Sequence, residues 1–182
     1  AMVPEGLNSV VAVAAGAYHS LALKADGTVV AWGAGTSNTG SSPQYGQALV
    51  PAGLSNVVAV APGRYHSFAL KADGTVLAWG DNSYNLTNPP AGLANGIEAA
   101  GSGYHNLVLE GDGRPHITGQ PFGQTVAAGT TVRLTAMAVG IPPLSYQWQH
   151  NGTDIPGATN ATFNLANVQT ANAGSYTVAV TN

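Results

Sequence analysis

Tyr18-His19-Ser20-Leu21-Ala22-Leu23-Lys24-Ala25-Asp26-Gly27-Thr28-Val29, followed after one residue by Ala31-Trp32-Gly33, returns almost unchanged as Tyr65 to Val76 and Ala78-Trp79-Gly80. A shorter third copy has Tyr104-His105-Asn106-Leu107-Val108-Leu109 and Asp112-Gly113. Each copy follows a lead-in of one type: Val3-Pro4-Glu5-Gly6-Leu7, Val50-Pro51-Ala52-Gly53-Leu54 and Pro89-Pro90-Ala91-Gly92-Leu93. The repeats therefore start near residues 3, 50 and 89. Their unequal spacing lies in Ala34 to Ala48, rich in Gly, Ser, Thr and Asn, which reads as a surface loop.

Inside a copy the alternation has period two, with His19, Leu21 and Leu23 on one face and Ser20, Ala22 and Lys24 on the other, which is the pattern of a strand. Asp26-Gly27, Asp73-Gly74 and Asp112-Gly113 each separate two apolar runs, where glycine supplies the positive φ of a tight hairpin. Val10 to Ala14 is apolar on both faces, so it is expected to be buried on both sides. Short strands and a Trp-Gly ending every forty or so residues describe propeller blades. The pattern Ala-x-Gly-x-Tyr-His-Ser-Leu-Ala-Leu-Lys-x-Asp-Gly-Thr-Val-x-Ala-Trp-Gly, over residues 14 to 33, resembles the regulator-of-chromosome-condensation type of β-propeller repeat. It looks especially like the bacterial versions, the β-lactamase inhibitor propellers among them. The resemblance covers residues 1–113 and implies two blades plus part of a third, where such propellers usually close with about seven.

Past Gly113 the register is lost. Residues 114–121 read as a linker running into a new first strand, and 122–182 as a different domain. Val132, Leu134, Ala136 and Ala138 alternate; Tyr146-Gln147-Trp148 follows Pro142-Pro143; Asn151-Gly152 makes a hairpin; Tyr176, Val178 and Val180 alternate at the end. Ala173-Gly174-Ser175-Tyr176-Thr177-Val178 resembles the tyrosine-corner motif of immunoglobulin-like domains of the intermediate set, with Val178 and Ala136 where that family has its two cysteines. The resemblance implies a sandwich that replaces the disulfide by a small apolar pair and fills its core with Trp148. The chain stops just after the tyrosine-corner strand, so the sandwich is expected to lack its last strand, and the whole chain is expected to be all-β.

Composition narrows the function. Only 7% of the residues are charged, against about a quarter in an average soluble protein. The net charge is −3, and the basic residues Lys24, Arg64, Lys71, Arg114 and Arg133 are scattered, which leaves nucleic-acid binding without its electrostatic footprint. No apolar run reaches the roughly 18 residues of a membrane helix, so membrane insertion is not expected. There is no cysteine, and Ala1-Met2 runs straight into a turn-like Val-Pro-Glu-Gly, as in a mature or excised piece of a longer chain.

Five histidines invite a metal or acid–base reading. His19, His66 and His105 share one repeat position, so they should lie one per blade, each ring bonded to a neighbouring loop or strand. His116 and His150 read as isolated surface groups. Asp26, Asp73 and Asp112 read as turn residues. Asp81-Asn82, after Trp79-Gly80, offers oxygens of the kind calcium takes, or simply forms a turn. No nucleophile elbow, phosphate loop or dinucleotide fingerprint appears. The expectation is a non-enzyme without cofactor or metal.

Two functions follow. The first is a non-catalytic extracellular or cell-surface bacterial building block for structure or adhesion, completed by identical subunits or by the rest of a larger chain, and able to form a fibre. The second, implied by the resemblance to inhibitor propellers, is a module that grips a protein partner through loop tyrosines: Tyr45 and Tyr84, with Tyr18, Tyr65 and Tyr104 either joining them or packed between blades. Trp32 and Trp79 are expected to be structural positions of the repeat.

Overall fold

The computed structural model describes residues 2–182, all in strands and turns apart from one turn of 3-10 helix at Thr170–Asn172. The first blade is an antiparallel sheet of β1 (Val10–Ala15), β2 (His19–Lys24) and β3 (Val29–Gly33), in that order. Its hairpin closes at Asp26, whose carboxylate accepts both the backbone N–H and the hydroxyl of Thr28, while Gly27 holds φ at 76°. A side chain would be strained there.

The loop that follows carries its own hairpin, β4 (Asn38–Ser41) with β5 (Gln44–Tyr45), and is more than a surface connection. Gln47 explains why. Fully buried, it accepts the Tyr45 N–H and donates to the Pro43 carbonyl, pinning the loop between blades. The second blade, β6 (Val57–Pro62), β7 (His66–Lys71) and β8 (Val76–Gly80), repeats the pairing of the first. The third has only β9 (Gly96–Gly101) and β10 (Asn106–Glu110), because no Thr-Val-x-Ala-Trp-Gly follows Asp112-Gly113.

The blades meet along their first strands, β1 on β6 and β6 on β9. At each junction the hairpin carbonyl of one blade accepts an N–H from the first strand of the next: Val57 to Gly27 at 3.0 Å, and Gly96 to Gly74 at 3.0 Å. The second strand of a blade covers the first strand of its successor, as β2 covers β6. This corrects the expectation for Val10 to Ala14. Val57, Val58 and Ala61 of β6 are buried, but Val10 and Val13 of β1 are exposed, because no earlier blade among the described residues covers them.

The remainder forms β11 (His116–Gly119), β12 (Val132–Thr135), β13 (Met137–Val139), β14 (Ser145–His150), β15 (Thr153–Asp154), β16 (Thr162–Leu165) and β17 (Tyr176–Thr181). β11 pairs with β13, β12 with β16, and β14 lies between β15 and β17. Two readings change. The expected linker over 114–121 contains β11, so the true connection is shorter. The alternating run from Val132 to Ala138 is two strands, because the chain steps from one sheet to another at Ala136, whose N–H goes to the Ala161 carbonyl.

Trp148 is fully buried among Val132, Leu134, Ala136, Ala158 and Val168, with Phe163 and Val178 packed against them. Its indole N–H donates to the Asn160 carbonyl at 2.8 Å, so burial leaves no polar group unsatisfied. The Tyr176 hydroxyl donates to the Asn172 carbonyl at 2.8 Å, tying the corner before β17.

The two units share a core. Met137 and Val139 of β13 are buried in one cluster with Val57, Val58 and Leu70 of the second blade. After β10, at the third Asp-Gly pair, the Gly113 carbonyl accepts the Ile141 N–H at 3.2 Å and the Asn182 side-chain amide at 2.8 Å. The sandwich thus supplies, at Gly113, the bond that the next blade supplies at Gly27 and Gly74.

Candidate interaction surface

The repeat positions first build an internal latch. His19 Nε2 lies 2.7 Å from Ser67 Oγ in the next blade, and Ser67 donates to the Gln47 carbonyl at 2.8 Å. Because the Ser67 hydrogen is committed to that carbonyl, the ring must donate from Nε2, and burial, which disfavours the charged ring, keeps His19 the neutral Nε2–H tautomer with an unpartnered Nδ1. The second junction repeats this: His66 Nε2 lies 2.8 Å from Asn106 Oδ1, and the Asn106 amide donates to the Leu86 carbonyl at 3.0 Å. Burial, then the nearby His66, lowers the pKa of His19 to about 4; burial also lowers that of His66, against the opposing bond to Asn106. Trp79 joins the first latch through its indole N–H to the Gln47 carbonyl at 2.9 Å, whereas Trp32 stays half-buried.

His105 does not follow this pattern. It is exposed and outside β10. The reason is local: Gly16 and Gly63 leave no room for a Cβ beside the rings of His19 and His66, and at the corresponding place the third copy has Ser102. A ring seated as His66 is would collide with it.

The aspartates sit in turns. Asp73 accepts from Thr75 as Asp26 does from Thr28; burial acts to raise its pKa, but the Thr75 bonds outweigh it. Thr28 lowers the pKa of Asp26 to about 2. Asp112 accepts the Arg114 N–H, lies 3.6 Å from the His116 ring and is exposed. Asp81 is buried and spends one carboxylate oxygen on the N–H and hydroxyl of Ser83, an Asx turn. His150 stacks on Tyr176 with centroids 4.6 Å apart. Among the described residues no three His, Asp or Glu side chains gather within reach of one metal ion.

The tyrosines gather at the end of the blades where each second strand begins. Tyr18 and Tyr65 stack in parallel with centroids 5.2 Å apart, Tyr45 lies 5.0 Å from Tyr65, and Tyr84 meets Tyr104 edge-on at 5.2 Å. Arg64 joins these groups. Its guanidinium donates to the Tyr104 hydroxyl at 2.6 Å and lies 5.2 Å from the Tyr65 ring centroid, 5.6 Å from that of Tyr104 and 6.0 Å from that of Tyr18. The repeat tyrosines therefore pack on one another across blades while Tyr18, Tyr84 and Tyr104 remain exposed. No ion pair to a carboxylate is made by Arg64 among the described residues.

Arg64 had a signal in the sequence that went unused. It replaces Ala17 of the first copy and Gly103 of the third, a change of charge immediately before an otherwise repeated tyrosine. Ser67 and Asn106 also had one, since a side chain able to hydrogen-bond follows every repeat histidine.

A family model for the regulator of chromosome condensation (RCC1) repeat matches residues 10–39 and 57–85, and one for the immunoglobulin domain matches residues 114–182. Among solved structures, the chain is similar to a chain in the crystal structure of Kap60 bound to yeast RCC1 (Prp20), with 24% identity and a TM-score of 0.45. That match covers 85% of this chain and 39% of the other, so the present chain spans about two fifths of the chain it matches. The protein carries RCC1-type repeats within residues 10–85, followed by an immunoglobulin-like domain at residues 114–182.

Proposed function

We propose that the chain is a non-catalytic protein-interaction module that holds a partner on its tyrosine and arginine surface. RCC1 repeats joined to an immunoglobulin domain suggest such a module. The observation that carries the reading is Arg64, ordered by Tyr65 and Tyr104 and left without a carboxylate. Tyrosine and arginine dominate the energetics of protein interfaces, because a planar, partly ordered side chain loses little entropy when it is covered. The low charge and the Thr, Asn, Gly and Ser content support placing the module outside the cell or at its surface, in a structural or adhesive setting.

The test is affinity capture from the proteins of the producing organism, followed by titration with the purified partner. Arg64→Ala and Tyr104→Ala should each weaken binding by about tenfold or more, and Thr159→Ala, at an exposed position of the immunoglobulin-like domain, should not. A partner that binds both surface variants as tightly as the unaltered chain overturns the assignment.

A further inference from the structure

Arg64 belongs to the middle blade, with a blade of this chain on either side, so Tyr18, Tyr65 and Tyr104 around it all come from the described residues. Blade packing does not call for an arginine here. Ala17 and Gly103 hold the same place in the other copies, and the first and second blades pair their strands alike. Of the five basic residues, Lys24, Lys71 and Arg114 each lie within 3.4 Å of an aspartate, whereas Arg64 and Arg133 have no carboxylate partner among the described residues. Arg133 stands exposed on β12. Arg64 is instead held in place: its backbone N–H donates to the Gly103 carbonyl at 3.3 Å, and its guanidinium to the Tyr104 hydroxyl at 2.6 Å.

The groups around this guanidinium are set to donate. The Tyr104 hydroxyl accepts from Arg64, so its own hydrogen is free to be given outward. Ser42 and Tyr65 share one bond of 3.0 Å between two hydroxyls, which leaves one hydrogen of the pair over. A guanidinium has no acceptor at all. Asp81, whose N–H bonds the Tyr65 carbonyl, is buried in its turn with Ser83 and makes no ion pair with Arg64. We propose that the partner on this surface presents an Asp or Glu side chain from an exposed acidic protein segment, its carboxylate on the free N–H groups of Arg64 and its neighbouring residues on the exposed rings of Tyr84 and Tyr104. The fork of a guanidinium matches a carboxylate in shape and in charge. A phosphate group would bring about two negative charges to a surface with one cation. The inference rests on the partner-binding reading and adds to it the chemistry of the partner.

The experiment selects binders to the immobilised 182-residue chain from a displayed library of random peptides, then measures the affinity of the selected peptides in solution. The selected peptides should carry Asp or Glu, and changing that residue to Asn or Gln should weaken binding by about tenfold or more. Arg64→Gln should abolish the difference between the acid and amide peptides, and Arg64→Lys, which keeps the charge but not the fork, should restore part of it. Arg133→Gln removes the same charge from the sandwich and should leave the affinity unchanged. Circular dichroism of all three variants should match that of the unaltered chain. Peptides that need Tyr104 but bind equally well as acid and amide overturn the carboxylate partner and leave the surface reading standing. If every selected peptide binds unchanged after both Arg64 and Tyr104 are replaced, both readings fall. An equal loss in Arg133→Gln reduces the effect to net charge and overturns the proposal, as does a selection that yields no binder.

Discussion

His19 donates through Nε2 to Ser67 Oγ across the first blade junction, and Ser67 passes its own hydrogen to the buried Gln47 carbonyl. Three groups from two blades and the loop between them are satisfied by this one chain of bonds. Removing its middle member strands the His19 Nε2–H, while the Gln47 carbonyl keeps only the Trp79 indole N–H.

Ser67→Ala should therefore cost about 1–3 kcal/mol, the usual penalty for leaving buried polar groups unpaired. Ser20 occupies the same repeat position but makes no side-chain bond and is only half-buried, so Ser20→Ala should change stability by less than about 0.5 kcal/mol. Urea unfolding of the two variants checks the contrast.

The histidine latches make stability depend on pH. Burial holds the pKa of His19 near 4, below its ordinary 6.5, and lowers that of His66 as well. Between these values the unfolded chain binds protons that the folded chain refuses. The contribution is therefore complete above about pH 6.5 and is lost as the pH falls toward 4, with a limiting slope of about 1.4 kcal/mol per pH unit for each excess proton. Unfolding free energies measured across this window should fall on acidification, and His19→Gln should flatten the fall.

Gly63 lies against the His66 ring so closely that a Cβ would overlap it. Gly63→Ser, which copies Ser102 of the third blade, should expel the ring, break the bond to Asn106 and destabilise the second junction by about 1–3 kcal/mol. The histidine C–H resonances report the ring's release directly. A variant with the stability and His66 resonances of the unaltered chain would refute this account of why His105 is exposed.

Trp148→Ala removes the centre of the sandwich core and should cost about 3–5 kcal/mol. Since Met137 and Val139 share a core with Val57 and Leu70, the loss should also lower the cooperativity with which the blades unfold. Calorimetry of the variant checks both effects. Trp32→Ala, at a half-exposed position, should cost less.

Much of the architecture was present in local pattern. Two near-verbatim copies with Asp-Gly turns determine three-stranded blades, because alternation sets the strand faces and the Asp-Gly pair sets the register of each hairpin. Trp148 with Tyr176 at its spacing determines a sandwich in the same way. Other features depended on which segments meet in space. Burial of a first strand is conferred by the preceding blade, so the same apolar sequence is covered in β6 and open in β1. The loop at 34–48 looked featureless because its purpose, presenting the Gln47 carbonyl to Ser67 and Trp79, involves residues 20 and 32 positions away. The histidines shared a repeat position, but one glycine replaced by Ser102 separated His105 from the others through a contact invisible in the periodicity. Arg64 and the tyrosines became one surface only when consecutive blades brought side chains up to 47 positions apart, as in the Tyr18–Tyr65 stack, into contact. The sequence by itself determined the elements and their turns, which follow from short-range backbone sterics and alternation. Tertiary packing decided which faces are covered and which side chains meet, since those depend on neighbours contributed by distant parts of the chain.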